Sequence, residues 1–124
     1  MITNELYQAA LIDGSLHDSS DARRFQVLNP HCDAVVAEVA DCGAAEAHLA
    51  LSSAVRTFPE WSGRTADERA KILLRWHALL EQHAEELAQL ISRELGKVIR
   101  DSRSEVAYGN SYVRWFAEEA RRVY

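Results

Sequence analysis

Apolar and polar positions divide the chain into an N-terminal part with a period of two and a longer part with a period near 3.6. Ala10-Leu11-Ile12 is a short apolar run stopped by the turn dipeptide Asp13-Gly14. Phe25 and Val27 flank Gln26, the alternation of a half-buried strand, and Asn29-Pro30 ends it. Val35 to Val39 is a second β-favouring run, beyond a turn at His31–Asp33. The simplest arrangement is a small antiparallel hairpin. From Asp41 onward the period changes. Asp41 is the expected N-cap of a first helix whose apolar stripe is Ala47, Leu51, Ala54 and Phe58. Pro59 is expected to stop that helix, leaving Trp61 in a connector where its ring closes the core.

Thr65 and Glu68 form a T-x-x-E capping box, so a second helix starts there. Leu73, Trp76, Leu80, Leu87 and Ile91 carry its stripe to Leu95, a run of about 45 Å at 1.5 Å per residue. Gly96 supplies the C-terminal cap. A third helix begins near Asp101 and carries two stripes. Val106, Asn110, Val113, Ala117 and Ala120 make one, and Tyr108, Tyr112, Trp115 and Glu119 make the other. The preceding helices can cover one face, and the other expects a partner outside this chain. Arg121 to Tyr124 still reads as helix, with no terminating Gly or Pro, as in the front portion of something larger. The expected fold class is therefore an α+β fragment: a hairpin over residues 1–40, then three amphipathic helices over residues 41–124.

Composition narrows the function classes. The 124 residues are 48% hydrophobic and 27% charged, which suits a folded domain rather than a disordered one. A formal net charge of -5 disfavours nucleic acid and anionic membrane surfaces as partners. No apolar run approaches the roughly 20 residues of a membrane span. The N-terminus lacks the basic and apolar regions of a signal peptide, so a cytoplasmic location is expected.

Catalytic patterns are sparse. The five glycines are scattered, so neither phosphate-cradling motif occurs. Cys32 and Cys42 lack metal spacing and read as free structural thiols, although Cys42 sits near a helix start that could lower a thiol pKa. His77 and His83 do not share a helix face and read as surface or boundary residues. Glu118 and Glu119 are adjacent, so they point apart, as on a solvated face rather than in a paired-carboxylate site.

The order of segments nevertheless resembles a family. LIDG, FQVLNP, an alanine-rich helix closing on Phe58-Pro59-Glu60-Trp61, ERAKILLRW, ELGKV and EVAYGNSYVRWFAEEARRVY occur in the order found in the N-terminal portion of NAD(P)-dependent aldehyde dehydrogenases. The WFAEEA segment looks most like the succinate-semialdehyde dehydrogenase branch. The turn Asn29-Pro30-His31-Cys32-Asp33-Ala34, the sequence Gly96-Lys97-Val98, and Leu16 in place of a common tryptophan depart from the usual pattern.

The resemblance implies part of a Rossmann-like cofactor domain and oxidation of succinic semialdehyde, or a similar aldehyde, with NAD or NADP. It implies a cysteine nucleophile, an oxyanion site and a water-activating glutamate, all beyond the region equivalent to Tyr124. No catalytic or cofactor-binding residue is expected in this chain, which alone should be inactive and bind no cofactor. Two site assignments carry over. The carbonyls of Val27 and Leu28 with the Glu94 carboxylate would hold a structural monovalent cation, unless Glu94 simply bonds locally. Tyr108, with Tyr112 as a weaker candidate, would line the substrate entrance; both also read as core aromatics, the preferred reading. The competing functional reading is a non-catalytic helical module that self-associates or binds a partner through the uncovered face of the third helix.

Overall fold

The computed structural model describes residues 8–122, in two compact units that divide at Pro59 and Glu60. The first unit opens with β1 (Ala10–Ile12) and β2 (Ser15–His17), paired antiparallel with Leu11 opposite Leu16. Asp13 and Gly14 form the turn, with φ of 53° and 74°. Two consecutive positive φ values match the right-handed twist of a two-residue hairpin, and Asp-Gly is a favoured dipeptide for it. The expected single hairpin is thus preceded by another. Three residues per strand give too short an alternation to announce it. The expected hairpin is β3 (Arg24–Leu28) with β4 (Val35–Ala40), its register shifting between Val27 and Leu28. Its loop is closed by Asn29, whose side-chain oxygen accepts from the His31 N–H at 2.9 Å.

Helix α1 (Ala44–Gly63) departs from expectation at its start, its middle and its end. Asp41 is not its cap: the Asp41 carboxylate faces Arg23 at 3.5 Å, and its carbonyl accepts from Ser19 Oγ at 2.9 Å. Glu46 serves the helix start instead. One carboxylate oxygen reaches back to the Gly43 N–H at 2.7 Å, and the other accepts from the Ser20 N–H at 2.9 Å. Pro59 lies inside the helix, which continues to Gly63. A proline forfeits its own backbone bond and bends the axis, but one remaining turn still forms beyond it. Trp61 is accordingly in the last turn of α1 and is 37% exposed, not a core closure in a connector. The apolar stripe is outward too: Leu51 and Phe58 are exposed, while the polar Glu46 and Ser53 are buried. Polar partners decide this orientation. Ser53 Oγ donates to Asp13 Oδ1 at 3.1 Å and Arg56 to Asp13 Oδ2 at 2.6 Å, holding the β1–β2 turn against α1.

In the second unit the expected long helix is two: α2 (Ala66–Gln82) and α3 (Ala84–Leu95). His83 separates them with φ of -105° and ψ of 13°, outside helical values. Its N–H still bonds the Leu79 carbonyl and its carbonyl the Leu87 N–H, so the break is a local bend in nearly continuous helix. Its ring faces Glu86 at 3.3 Å, a local contact that accompanies the departure. The capping box is present in full. The Thr65 N–H bonds Glu68 at 2.8 Å, and the Glu68 N–H bonds Thr65 Oγ1 at 3.3 Å. Gly96 caps α3 with φ of 69°, a left-handed geometry that suits glycine.

Helix α4 (Ile99–Glu119) packs on both α2 and α3. The buried positions are small: Ala70 on α2, Ala88 on α3, and Ser102 and Ala117 on α4. Small side chains bring helix axes close and favour the polar links between them. Ser92 and Ser102 hydroxyls meet at 2.9 Å, and Arg103 forms a two-pronged pair with Glu85, both contacts at 2.8 Å. The Arg103 contact, aided by Gln89, holds the Glu85 carboxyl at about 2, well below its ordinary range. The helix expected to continue through Tyr124 ends at Glu119. Turn bonds from the Arg121 and Arg122 N–H groups follow, with Arg122 paired to Glu119 at 3.0 Å and Arg121 to Asp67 at 2.9 Å. Each arginine thereby ties the tightening end to an acidic partner. Residues 123 and 124 lie outside the described residues.

Replacing Thr65 by Ala removes the cap and should lower stability by about 1 kcal/mol, read as a reduced urea midpoint with an unchanged slope. Glu46 gives a pH signature. The Gly43 and Ser20 donors hold its carboxyl at about 2, against an ordinary 4.5. The unfolded chain takes up that proton first, so the contribution is complete above about 4.5 and is lost as pH falls toward 2. E46Q should flatten the acid limb of a stability-versus-pH curve in that window, and an unchanged limb would refute the assignment.

Candidate functional site

The outer face of α4 gathers the densest aromatic cluster among the described residues. Tyr108, Tyr112 and Phe116 recur at intervals of four and therefore stack along one side of the helix. The Tyr108 and Tyr112 hydroxyls meet at 2.6 Å, and their rings stand edge to face with centroids 5.0 Å apart at 85°. Tyr112 and Phe116 are nearly parallel, at 6.4 Å and 24°. Tyr108 is 65% exposed and Tyr112 46%, so neither is a core aromatic of this chain. Trp115 and Phe116 are exposed as well. The hydrogen bond to Tyr108 and partial burial both push the Tyr112 hydroxyl above its ordinary pKa, favouring the neutral phenol.

The opposite face holds the helix in this rotation. Asn110 is buried and makes two bonds to one residue of α2: its Oδ1 meets His77 Nδ1 at 2.9 Å, and its Nδ2 donates to the His77 carbonyl at 3.3 Å. The second bond orients the amide, so His77 carries its proton on Nδ1 to complete the first. Nε2 then faces Glu81 at 3.6 Å. A cavity of about 450 Å³ opens beside this pair, lined by His77, Glu81, Asn110, Ser111 and Arg114. A second, of about 370 Å³, is bounded mainly by Trp76, Leu80, Leu87 and Ile91, with Glu94 at its wall.

The remaining sequence candidates fall as follows. Val27 and Leu28 are consecutive in β3, at the register shift, in the first unit; Glu94 is half-buried in the last turn of α3, in the second. No group of three or more His, Cys, Asp or Glu side chains suited to a metal ion occurs among the described residues. Cys32 and Cys42 are both exposed free thiols. Desolvation, with the negative charges of Glu46, Asp18, Asp41 and Asp21, pushes the Cys42 thiol up. That is the opposite of what a nucleophilic cysteine requires. Glu118 pairs with Arg114 at 3.0 Å and Glu119 with Arg122, so the two carboxylates turn to different arginines. Sequence reasoning missed Phe116 as the third member of the aromatic ladder, though its position four residues after Tyr112 carried the signal. It also missed the His77–Asn110 pair, because contact between residues so far apart in sequence has no local signature.

Comparison with known proteins agrees with this architecture. Residues 17–124 match the aldehyde dehydrogenase family. The chain is 46% identical to the mitochondrial succinate-semialdehyde dehydrogenase of Arabidopsis thaliana over 114 residues, covering 92% of this chain and 22% of that protein. It is 43% identical to the 3-sulfolactaldehyde dehydrogenase of Pseudomonas putida over 119 residues, covering 96% and 24%. The crystal structure of an NADP-dependent enzyme of Escherichia coli superposes with a TM-score of 0.92 at 38% identity, over 94% of this chain and 24% of that one. The chain thus spans less than a quarter of the length of these relatives. Two hairpins followed by small-residue helix packing, in the same order and at this level of identity, place the chain in the aldehyde dehydrogenase family, with succinate-semialdehyde dehydrogenases prominent among its relatives.

Proposed function

We propose that this chain supplies the N-terminal part of an oxidoreductase that oxidises succinic semialdehyde, or a similar short aldehyde with an anionic end, using NAD or NADP. The chain by itself is inactive in this reading. The identity to relatives named for succinate semialdehyde and 3-sulfolactaldehyde carries it. Both names denote aldehydes with a negatively charged terminus. Within such an enzyme α4 forms part of the wall of the substrate entrance, with Tyr108 on the substrate side, and the helical segment belongs to a Rossmann-like cofactor domain.

In this reading the nicotinamide cofactor is held by the rest of the enzyme. A dinucleotide pyrophosphate sits at a helix N-terminus reached from a strand through a glycine-rich turn. The nearest equivalent here, β4 to α1 through Gly43, has its N–H already taken by the Glu46 carboxylate. An anion would meet a like charge there, so no cofactor contact is assigned. The donor types of Val27, Leu28 and Glu94 suit a hard monovalent cation, and that structural role remains part of the proposal. The cytoplasmic location expected from the sequence belongs to the same reading.

A second reading draws on the exposure of Tyr108, Tyr112, Trp115 and Phe116. As a self-associating module the chain would bury this face against another copy, and sedimentation of the isolated chain would show concentration-dependent mass. A monomer at all concentrations would remove that reading.

The test of the main reading joins this chain to the part of the Arabidopsis thaliana succinate-semialdehyde dehydrogenase that follows its matched segment. The joined protein should reduce NAD or NADP with succinic semialdehyde, and the 124-residue chain alone should not. Turnover by the isolated chain would overturn its inactivity, and a folded joined protein without aldehyde-dependent reduction would overturn the functional assignment.

A further inference from the structure

We propose that the Asp13–Gly14 turn is a modification site, at which the Gly14 nitrogen closes on the Asp13 side chain to give isoaspartate, and that Ser53 and Arg56 on α1 restrain this step by holding the Asp13 carboxylate. The inference stands apart from the aldehyde chemistry. The chain holds one Asp-Gly dipeptide and no Asn-Gly. Glycine has no Cβ to shield its own nitrogen from the preceding side chain. No other part of the fold comes within 4 Å of where a Gly14 Cβ would stand, and both residues are exposed, so water reaches the turn. The Gly14 N–H also lies outside the ladder, whose last pair is Ile12 with Ser15.

The reaction needs no partner but water. The Gly14 nitrogen forms a bond to Asp13 Cγ, and one carboxyl oxygen of the acid form leaves as water, taking the amide proton with it. The product is a five-membered cyclic imide. Water then opens it. Attack at the side-chain carbonyl breaks the new C–N bond and restores aspartate. Attack at the main-chain carbonyl breaks the original peptide bond instead, so the backbone now runs through Cβ and Cγ, one methylene longer. The remaining carboxylate then sits directly on Cα, too short to span Ser53 and Arg56, and the tie between the first hairpin and α1 is lost.

Closure requires Cγ to turn toward Gly14, and in the fold both carboxylate oxygens are held the other way. Oδ1 accepts from the buried Ser53 Oγ at 3.1 Å, and Oδ2 from Arg56 at 2.6 Å. The Arg56 bond is the stronger of the two because both partners are charged. Its side chains are 63% and 58% exposed, so the pair adds little to folding stability. Its effect falls on the rate at which Asp13 meets its neighbour.

The test incubates the 124-residue chain at mildly acidic pH and body temperature. Isoaspartate is followed by isoaspartate-specific carboxyl methylation and placed by electron-based fragmentation of the peptide. It should accumulate at position 13 more slowly in the folded chain than in urea, and roughly three- to tenfold faster in R56Q than in wild type. R56K should recover most of the protection. E46Q weakens the same unit without touching Asp13, and it should stay near the wild-type rate. High salt, which screens an exposed pair, should speed the wild type toward the R56Q rate, a comparison that needs no variant to fold. Equal rates in wild type and R56Q, a rise in E46Q matching that in R56Q, or indifference to salt would overturn the restraint. Isoaspartate absent from position 13 in the urea-unfolded chain would overturn the modification site itself.

Discussion

The two-bond contact between Asn110 and His77 sets the rotation of α4, and the faces of the second unit follow from it. Helix α4 is apolar on two sides, and the side that turns inward is not the one hydrophobic burial alone would choose. The inner side carries Ser102, Asn110 and Ala117, while the outer carries the larger aromatic surface. Burial by area would favour turning the aromatics in. A buried amide left without partners costs about 1–3 kcal/mol, and this one has both its oxygen and its nitrogen met by His77. The Ser92–Ser102 contact and the Arg103–Glu85 pair add to the same rotation from the α3 side. Small side chains at the crossing allow the close approach that these short polar links need. The outcome is a helix seated by polar specificity, with its aromatic ladder free to meet something else.

The first unit uses the same device in another form. Helix α1 exposes Leu51, Val55 and Phe58 and buries Glu46 and Ser53. Glu46 gathers the Gly43 and Ser20 donors, and Ser53 with Arg56 gathers Asp13 at the tip of the first hairpin. Such contacts are directional, whereas apolar stripes tolerate sliding. In both units, then, polar side chains choose which way a helix faces. Both leave apolar surface outward.

What the sequence revealed, and what it hid, divides by the range of the interaction involved. The capping box at Thr65–Glu68, the left-handed Gly96 and the strand through Phe25-Gln26-Val27 depend on interactions within a few residues, and each is present in the structure, although Phe25 is exposed rather than half-buried. The His83 bend was hidden because the apolar stripe runs across it unbroken. Pro59 looked like a stop because its helix-breaking cost was weighed without noting that one turn can still follow. The facing of α1 was misread because burial was taken to track hydrophobicity, when Glu46 and Ser53 had distant partners at Ser20 and Asp13. At the site, Tyr108 was legible as a candidate through family resemblance. Its exposure and its bond to Tyr112 required the rotation of α4, which depends on a residue thirty-three positions away.

The Asn110–His77 contact also bears on how the protein can change over generations. The Asn110 amide must both give and accept a hydrogen bond in a buried place, which aspartate and leucine cannot do and glutamine does with the wrong reach. A histidine replaced at 77 leaves the Asn110 oxygen without its ring donor. Neutral drift at either position is therefore barred unless the other changes with it. These two residues are expected to be inherited as a pair, while the tyrosines they aim outward are free of that constraint.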